Sequence, residues 1–297
     1  MKSLCIVFSY NRQNVLRESL RTLFENTSFR FDEYVVLDDG SDENLKKSLL
    51  QFSIDYSTKE SPISIMFNGR NNGYGPNFEH AYSILKLKNP EIVAFIESDY
   101  IFRRGFMEDV NFIFENSPYC VAIPGTSHPD FFKKGNEEAL FKRIMVESFQ
   151  EDIVGREYYF KKFAIGNIEV QGVSNSGGCF FLNWKRFKQY VFSDLDAKLD
   201  WEAYCNKSFH KFQDEKKYVY NDGIMTSAIT YYWNKWAVKN NIDLSKNFPW
   251  IDICDCSIGN HLCALGINGK LPGISEGQTF VASPTWPENY NEWKRDL

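Results

Sequence analysis

A run of apolar residues that leads directly into two acids constrains this chain more than any other feature. Residues 92–96 read Ile-Val-Ala-Phe-Ile, and Glu97, Ser98 and Asp99 follow them. An uninterrupted apolar run of this length is typical of a strand that is buried on both faces. The acids then stand where the strand leaves the sheet, which is where open α/β sheets bind ligands, and alternation along the chain points both the same way. They can share one cation; the alternative is that they cap the next helix or face water.

Two earlier segments bring further polar residues to the same edge of the sheet. The sequence predicts a strand over residues 4–10, a helix over 11–26 and a strand over 33–37. Because this is a βαβ unit, its strands are parallel and their carboxyl ends meet. The residues expected to face this common crevice are Ser9, Tyr10, Asn11, Arg12, Asp38 and Asp39. The alternative for Asp-Asp-Gly-Ser is that it only caps the helix expected over residues 43–52.

A glycine-rich loop separates the predicted third strand, residues 63–67, from a helix expected to begin near Phe78. Glycines let the backbone turn tightly and approach a ligand, and a helix start offers N–H groups to an anion. The G-x4-G-K-[ST] pattern of a phosphate-binding P-loop is absent. The alternation of strands and helices predicts an α/β fold in which a mostly parallel central sheet is flanked by helices.

Composition excludes several classes of protein. The chain has 297 residues, of which 43% are hydrophobic and 25% charged, as in an ordinary globular protein with a large core. A net charge of -5 without a basic cluster argues against a nucleic-acid partner. No run of about 18 apolar residues predicts a membrane span, so we expect a cytoplasmic protein, with peripheral contact to a membrane left open. The seven cysteines are expected to be reduced, as is usual in a cytosolic protein. The cluster at residues 254–263 invites a zinc site but lacks the usual paired C-x2-C spacing.

Taken together, these features resemble the GT-A fold glycosyltransferases of family 2. The resemblance rests on Ser-Tyr-Asn-Arg after the first strand, Asp-Asp-Gly-Ser after the second, the Asn-x-Gly-Tyr-Gly loop, and the acid-x-Asp turn. It implies that Asp99, and less directly Glu97, bind Mn²⁺ or Mg²⁺ on a nucleotide diphosphate. The loop is closest to that of rhamnosyltransferases. The residues that the resemblance places against the nucleotide sugar are Ser9, Tyr10, Arg12, Asp38, Asp39, Asn71, Gly73, Glu97 and Ser98.

The same resemblance gives roles to residues later in the chain. Gly177 and Gly178 precede an apolar strand and would lie beside the donor sugar. Asp222 opens a predicted helix over residues 224–233 and would be the catalytic base, although a helix N-cap is the alternative. His261 would be a third metal ligand, although a lone histidine is more often structural.

Two positions depart from the family pattern. Glu97 stands where an aspartate is more common, and its longer side chain favours contact with the metal through water or contact with the ribose. Phe78 stands where many members carry an arginine, so a diphosphate contact must come from another residue.

The sequence therefore predicts a metal-dependent, inverting glycosyltransferase that moves a hexosyl group from a nucleotide diphosphate sugar to a glycan or glycolipid acceptor during polysaccharide biosynthesis. We expect a catalytic domain over residues 1–235, with a nucleotide-sugar half (1–100) and an acceptor half (101–235), and a small C-terminal extension (236–297) packed on it. A sugar-phosphate nucleotidyltransferase is a rival, but its glycine-rich loop with a basic residue after the first strand is missing. A catalytically silent glycan-binding module is a second rival, favoured if Glu97 marks a lost metal site.

Overall fold

The structure, a computed structural model, describes residues 2–11, 13–98, 100–125, 149, 153–173, 179–214, 221–253 and 259–261. Its main feature is a nine-stranded sheet with the strand order β3-β2-β1-β4-β9-β6-β10-β8-β7. A second, two-stranded sheet pairs β5 with β11. The strands are β1 (Ser3–Ser9), β2 (Glu33–Asp38), β3 (Ile63–Phe67), β4 (Ile92–Glu97), β5 (Tyr100–Phe102), β6 (Ala122–Pro124), β7 (Lys162–Ile165), β8 (Ile168–Val173), β9 (Phe180–Asn183), β10 (Trp250–Ile253) and β11 (Gly259–His261).

Most strands of the large sheet run in one direction. β1 pairs in parallel with β2 and β4, and β2 pairs in parallel with β3. β9 is antiparallel to both of its neighbours, β4 and β6, and β8 is antiparallel to both of its neighbours, β10 and β7. All strands except β8 and β9 therefore share a direction, which confirms the predicted mostly parallel α/β sheet.

Helices connect and cover these strands. They are α1 (Gln13–Glu25), α2 (Glu43–Tyr56), α3 (Tyr74–Lys88), α4 (Phe106–Asn116), α5 (Trp184–Val191), α6 (Leu195–Asp214) and α7 (Asn221–Lys239). α1 packs against α2, while α3, α6 and α7 pack against one another and α5 packs against α7. In the described part of the chain, no helix combines the length and apolar character that a membrane crossing requires.

α3 begins earlier than the sequence predicts, at Tyr74 and not near Phe78. Gly73 precedes the helix with a positive φ of 87°, a conformation that glycine adopts without strain, and the chain turns there into the helix. Phe78 consequently lies inside the helix and faces the sheet.

A row of aromatic rings forms the core between α3 and the sheet. Phe78 has no exposed surface, and its ring stacks on Phe8 of β1 at 5.6 Å and on Phe95 of β4 at 5.5 Å between ring centroids. Phe95 stacks in turn on Phe180 of β9, and Phe180 meets the edge of Trp250 of β10. The aromatic residue that replaces the family's arginine is therefore a core residue that ties α3 to two strands.

β10 lies inside the large sheet, between β6 and β8. Trp250 pairs with Ala122 on one side and with Val173 on the other, and its side chain is fully buried. Residues 250–253, which we placed in a C-terminal extension, thus contribute an internal strand of the same sheet. The division of the chain at residue 235 stays a prediction.

Replacing Phe78 with alanine should destabilise the protein by about 3–5 kcal/mol, because it removes a fully buried ring and leaves a cavity between α3 and the sheet. Urea unfolding followed by circular dichroism would measure the change. Leu87→Ala on the same helix is the matched control, since Leu87 is 80% exposed and its loss should alter stability by about 0.5 kcal/mol or less. Equal effects of the two substitutions would contradict the packing described for Phe78.

Candidate active site

The carboxyl ends of β1, β2, β3 and β4 meet at one edge of the sheet. The register aligns Ser9 with Asp38, Asp38 with Phe67, and Phe8 with Glu97. The strand ends that the sequence predicts to share a crevice are therefore neighbours in the structure.

Asp38 is a buried carboxylate held entirely by protein groups. It has no exposed surface, and its oxygens accept hydrogen bonds from the Ser9 hydroxyl at 3.2 Å, the Ser41 hydroxyl at 2.5 Å and the Ser41 backbone N–H at 3.0 Å. A buried charge is tolerated only when such bonds replace its lost hydration. In this structure Asp38 therefore joins the end of β1 to the start of the segment after β2.

Asp39 points to the glycine-rich loop. Its carboxylate is 4% exposed and accepts hydrogen bonds from the Asn72 N–H at 2.9 Å, the Gly73 N–H at 2.8 Å and the Asn68 side-chain amide at 3.1 Å. The Asn68 amide also donates to the Asn77 side chain at 2.8 Å. One carboxylate thus sets the position of the loop that carries Asn71 and Gly73 and links it to the first turn of α3.

Asn68, Asn77 and Ser41 were not among the predicted site residues. Asn68 directly follows β3, as Asp39 follows β2. Its position at a strand end could therefore have identified it as a candidate site residue. Asn77 gave no such signal, because only the fold of the loop brings it to Asn68.

Gly40 allows the segment after β2 to pass close to the loop. Its φ is 75°, and a side-chain carbon added there would lie 2.3 Å from the Arg70 carbonyl carbon and 2.6 Å from the Asn71 nitrogen. No larger residue fits between these two backbone segments. The glycine of the Asp-Asp-Gly-Ser motif is therefore required by close backbone approach.

Beside these buried groups the edge presents accessible side chains. Tyr10 is 44% exposed, and Asn71 is exposed at the tip of the loop. Asn11 follows Tyr10 with a positive φ of 49°; its N–H donates to the Ser41 hydroxyl and its side-chain oxygen accepts from the Asp42 N–H. The edge thus combines a fixed polar floor with an aromatic ring and an amide that a ligand can reach.

β5, which begins at Tyr100, is anchored by α1 and by β11. Thr22 of α1 accepts a hydrogen bond from the Phe102 N–H at 3.0 Å, and the Asn26 amide donates to the Phe102 carbonyl at 2.6 Å. On the other side of β5, the backbone of His261 pairs with Tyr100. The backbone of His261 therefore lies across from the residue that directly follows Asp99.

Several predicted residues lie outside the described residues: Arg12, Asp99, Gly177 and Gly178. The backbones of Asp222 and His261 are described, in the first turn of α7 and at the end of β11, but their side chains are not. Among the side chains that are described, no three His, Cys, Asp or Glu residues form a group that can hold a metal ion. Glu97 and Ser98 are partly buried at the end of β4, and the roles predicted for all these residues stay predictions.

The sequence matches a known protein family. Residues 4–190 match the profile of glycosyl transferase family 2, which covers all four strand ends described above. A search of curated proteins finds no match.

Three solved structures are similar to parts of this chain. A mannosyltransferase of Pyrobaculum calidifontis, solved with GDP-Man and Mn²⁺, has 13% identity and a TM-score of 0.42 over 63% of this chain and 46% of that protein. Glucosyl-3-phosphoglycerate synthase of Mycobacterium tuberculosis, solved with Mn²⁺, UDP-glucose and phosphoglyceric acid, has 13% identity and a TM-score of 0.38 over 62% and 57%. TarS 1–349 of S. aureus has 26% identity and a TM-score of 0.33 over 42% and 35%. The chain thus spans less than two thirds of each protein, and these TM-scores are too low to assign it a function.

Asp39→Ala should loosen the glycine-rich loop, because it removes the acceptor of two backbone amides. We expect hydrogen exchange of the Asn72 and Gly73 amides to accelerate about tenfold or more, since hydrogen bonds to a charged group contribute about 1.5–3 kcal/mol. Amide exchange followed by NMR would measure this.

The matched control is Asn71→Ala, which removes the second acceptor of the Gly73 N–H but leaves both Asp39 bonds. Its effect should be smaller and confined to Gly73. Unchanged exchange at Asn72 in Asp39→Ala would contradict the bracing role of Asp39.

Proposed function

Because the chain belongs to glycosyl transferase family 2, we propose that it transfers a hexosyl group from a nucleotide diphosphate sugar to a glycan or lipid-linked acceptor, with a divalent metal ion and with inversion at the anomeric carbon. The observation that carries the proposal is the meeting of the β1, β2 and β4 ends at one edge, within the matched residues. We include cytoplasmic location and polysaccharide biosynthesis in the proposal. The loop's resemblance to rhamnosyltransferases makes a rhamnosyl donor the first to test.

In this proposal the nucleoside lies over the crevice between Tyr10 and the glycine-rich loop. The exposed Tyr10 ring offers an aromatic face, and Asn71 offers an amide at the tip of the loop. Asp39 holds that loop through two backbone amides. Asp38 accepts its hydrogen bonds from Ser9 and Ser41, so its proposed role is to hold the ends of β1 and β2 together at the base of the site.

The chemistry of the residues near the acid turn fits a metal ion. Glu97 ends β4, Asp99 is two residues further on, and the backbone of His261 pairs across Tyr100. Two carboxylates and one imidazole suit Mn²⁺, whereas Mg²⁺ takes oxygen ligands almost alone, so the histidine favours Mn²⁺. When bound, the ion would neutralise the charge that develops on the departing diphosphate.

Asp222 is the proposed catalytic base. It is the second residue of α7, in the first turn of the helix. An acceptor hydroxyl is a weak nucleophile at neutral pH, so loss of its proton to Asp222 as it attacks the anomeric carbon would assist transfer. A single displacement of this kind inverts that carbon.

Nucleotide binding should depend on a metal ion. In calorimetric titrations with UDP, GDP and dTDP, we expect at least one nucleotide to bind in the presence of Mn²⁺ and to bind about tenfold or more weakly after chelation. Asp99→Asn should abolish the difference. Glu91→Gln, at the opposite end of β4 where Glu91 pairs with Lys185, is the control and should keep it.

The failure of all three nucleotides to bind with Mn²⁺ would contradict the proposed function. It would favour the rival interpretation of a catalytically silent glycan-binding module.

Asp222→Asn should keep metal-dependent nucleotide binding but lower sugar transfer by about 10²- to 10⁴-fold, the range that a positioned general base contributes. Donor consumption over a panel of nucleotide sugars would identify a substrate, and transfer to acceptor would then be measured for the variant. Asp243→Asn, an exposed acid beyond the end of α7, is the matched control and should transfer normally. Normal transfer by Asp222→Asn would show that the base is another residue.

A further inference from the structure

A cavity of about 510 Å³ lies between the second half of α7, the start of α6 and residues 153–154. Its volume is within the range of small-molecule sites, about 300–1,000 Å³. Its walls combine aromatic rings with charged groups of both signs: Tyr231, Tyr232, Trp236, Asp196, Asp200 and Lys235.

The cavity is far from the proposed active site. At a rise of about 1.5 Å per residue, the backbone of Trp236 lies about 20 Å along α7 from that of Asp222. Trp236 contacts Tyr119, which comes just before β6, and β6 runs in the same direction as β4. The cavity is therefore near the amino ends of these strands, whereas the crevice described above is at the carboxyl ends.

The walls of the cavity are held in place without a ligand. The Trp236 ring stacks on Tyr190 at 4.3 Å between centroids with 17° between planes, and the Tyr190 hydroxyl donates to the Pro118 carbonyl. The Asn234 side chain bonds to both the N–H and the carbonyl of Val154. A preformed wall of this kind loses little conformational freedom when a ligand binds.

Two carboxylates in the cavity are available to a ligand. Asp194 is already bound to the Lys239 ammonium at 2.5 Å, a hydrogen bond that lowers the pKa of Asp194. Asp196 and Asp200 are both exposed and lie one helical turn apart on α6. Within the described part of the chain, neither of these two carboxylates forms an ion pair or a side-chain hydrogen bond.

We propose that this cavity is a second saccharide-binding site, which takes a neutral sugar unit of a glycan. Hydroxyl groups donate to carboxylates such as Asp196 and Asp200, and the apolar face of a sugar ring packs on an aromatic wall such as Trp236. The two open carboxylates disfavour a phosphate or nucleotide by charge repulsion. Lys235 in the same walls disfavours an organic cation.

The proposal does not depend on the proposed catalytic function, because binding at this cavity is measured without a donor. The test uses the full chain and saturation-transfer NMR with maltotriose, cellotriose, mannotriose and triacetylchitotriose, with spermidine as an organic cation. We expect saturable binding of at least one trisaccharide and none of spermidine.

Asp196→Ala/Asp200→Ala should weaken trisaccharide binding about tenfold or more, since both hydrogen-bond acceptors are lost. Glu202→Ala, on the same helix but outside the cavity walls, is the matched control and should bind normally. Nucleotide binding should be the same in all three proteins, which separates this result from any failure of the proposed function. The absence of trisaccharide binding, equal binding by the double variant, or binding of spermidine in place of a saccharide would overturn the proposal.

Discussion

The carboxylate of Asp38 lies fully buried beneath the ends of β1 and β2, and three hydrogen bonds from Ser9 and Ser41 hold it there. Without such bonds an ionised group would not remain in this interior, because the loss of hydration costs several kcal/mol. These hydrogen bonds join the end of β1 to the end of β2, and the whole of α1 lies between the two strands in the chain. The crevice at the carboxyl edge therefore depends on this one charge, which fixes the strand ends that form its floor.

Asp39, the next residue, holds the glycine-rich loop at the same edge of the sheet. It accepts hydrogen bonds from the backbone N–H groups of Asn72 and Gly73, so the glycine-rich loop is positioned by the residue next to the buried acid. Gly40 then lets the loop backbone pass at a distance that no side chain would allow. Three consecutive residues thus perform three distinct tasks, and together they produce a preformed edge at the carboxyl ends of the strands.

Phe78 replaces the arginine that the family pattern leads us to expect, and its ring packs in the core of the fold. An arginine at this position would place a charge among Phe8 and Phe95, whereas the phenylalanine stacks on both rings and ties α3 to β1 and β4. α3 is thereby packed against the sheet.

The sequence alone determined the order of the first strands and helices, because buried parallel strands require continuous apolar runs and helices require apolar residues at helical spacing. It also placed Ser9, Asp38 and Glu97 at one edge, since βαβ units leave their carboxyl ends together. Only the tertiary structure decided that Asp38 is sealed inside, that Asp39 braces the loop through Asn68, and that residues 250–253 form an internal strand. The physical reason is that burial and hydrogen-bond partners depend on contacts between residues distant in the chain, which local patterns do not encode.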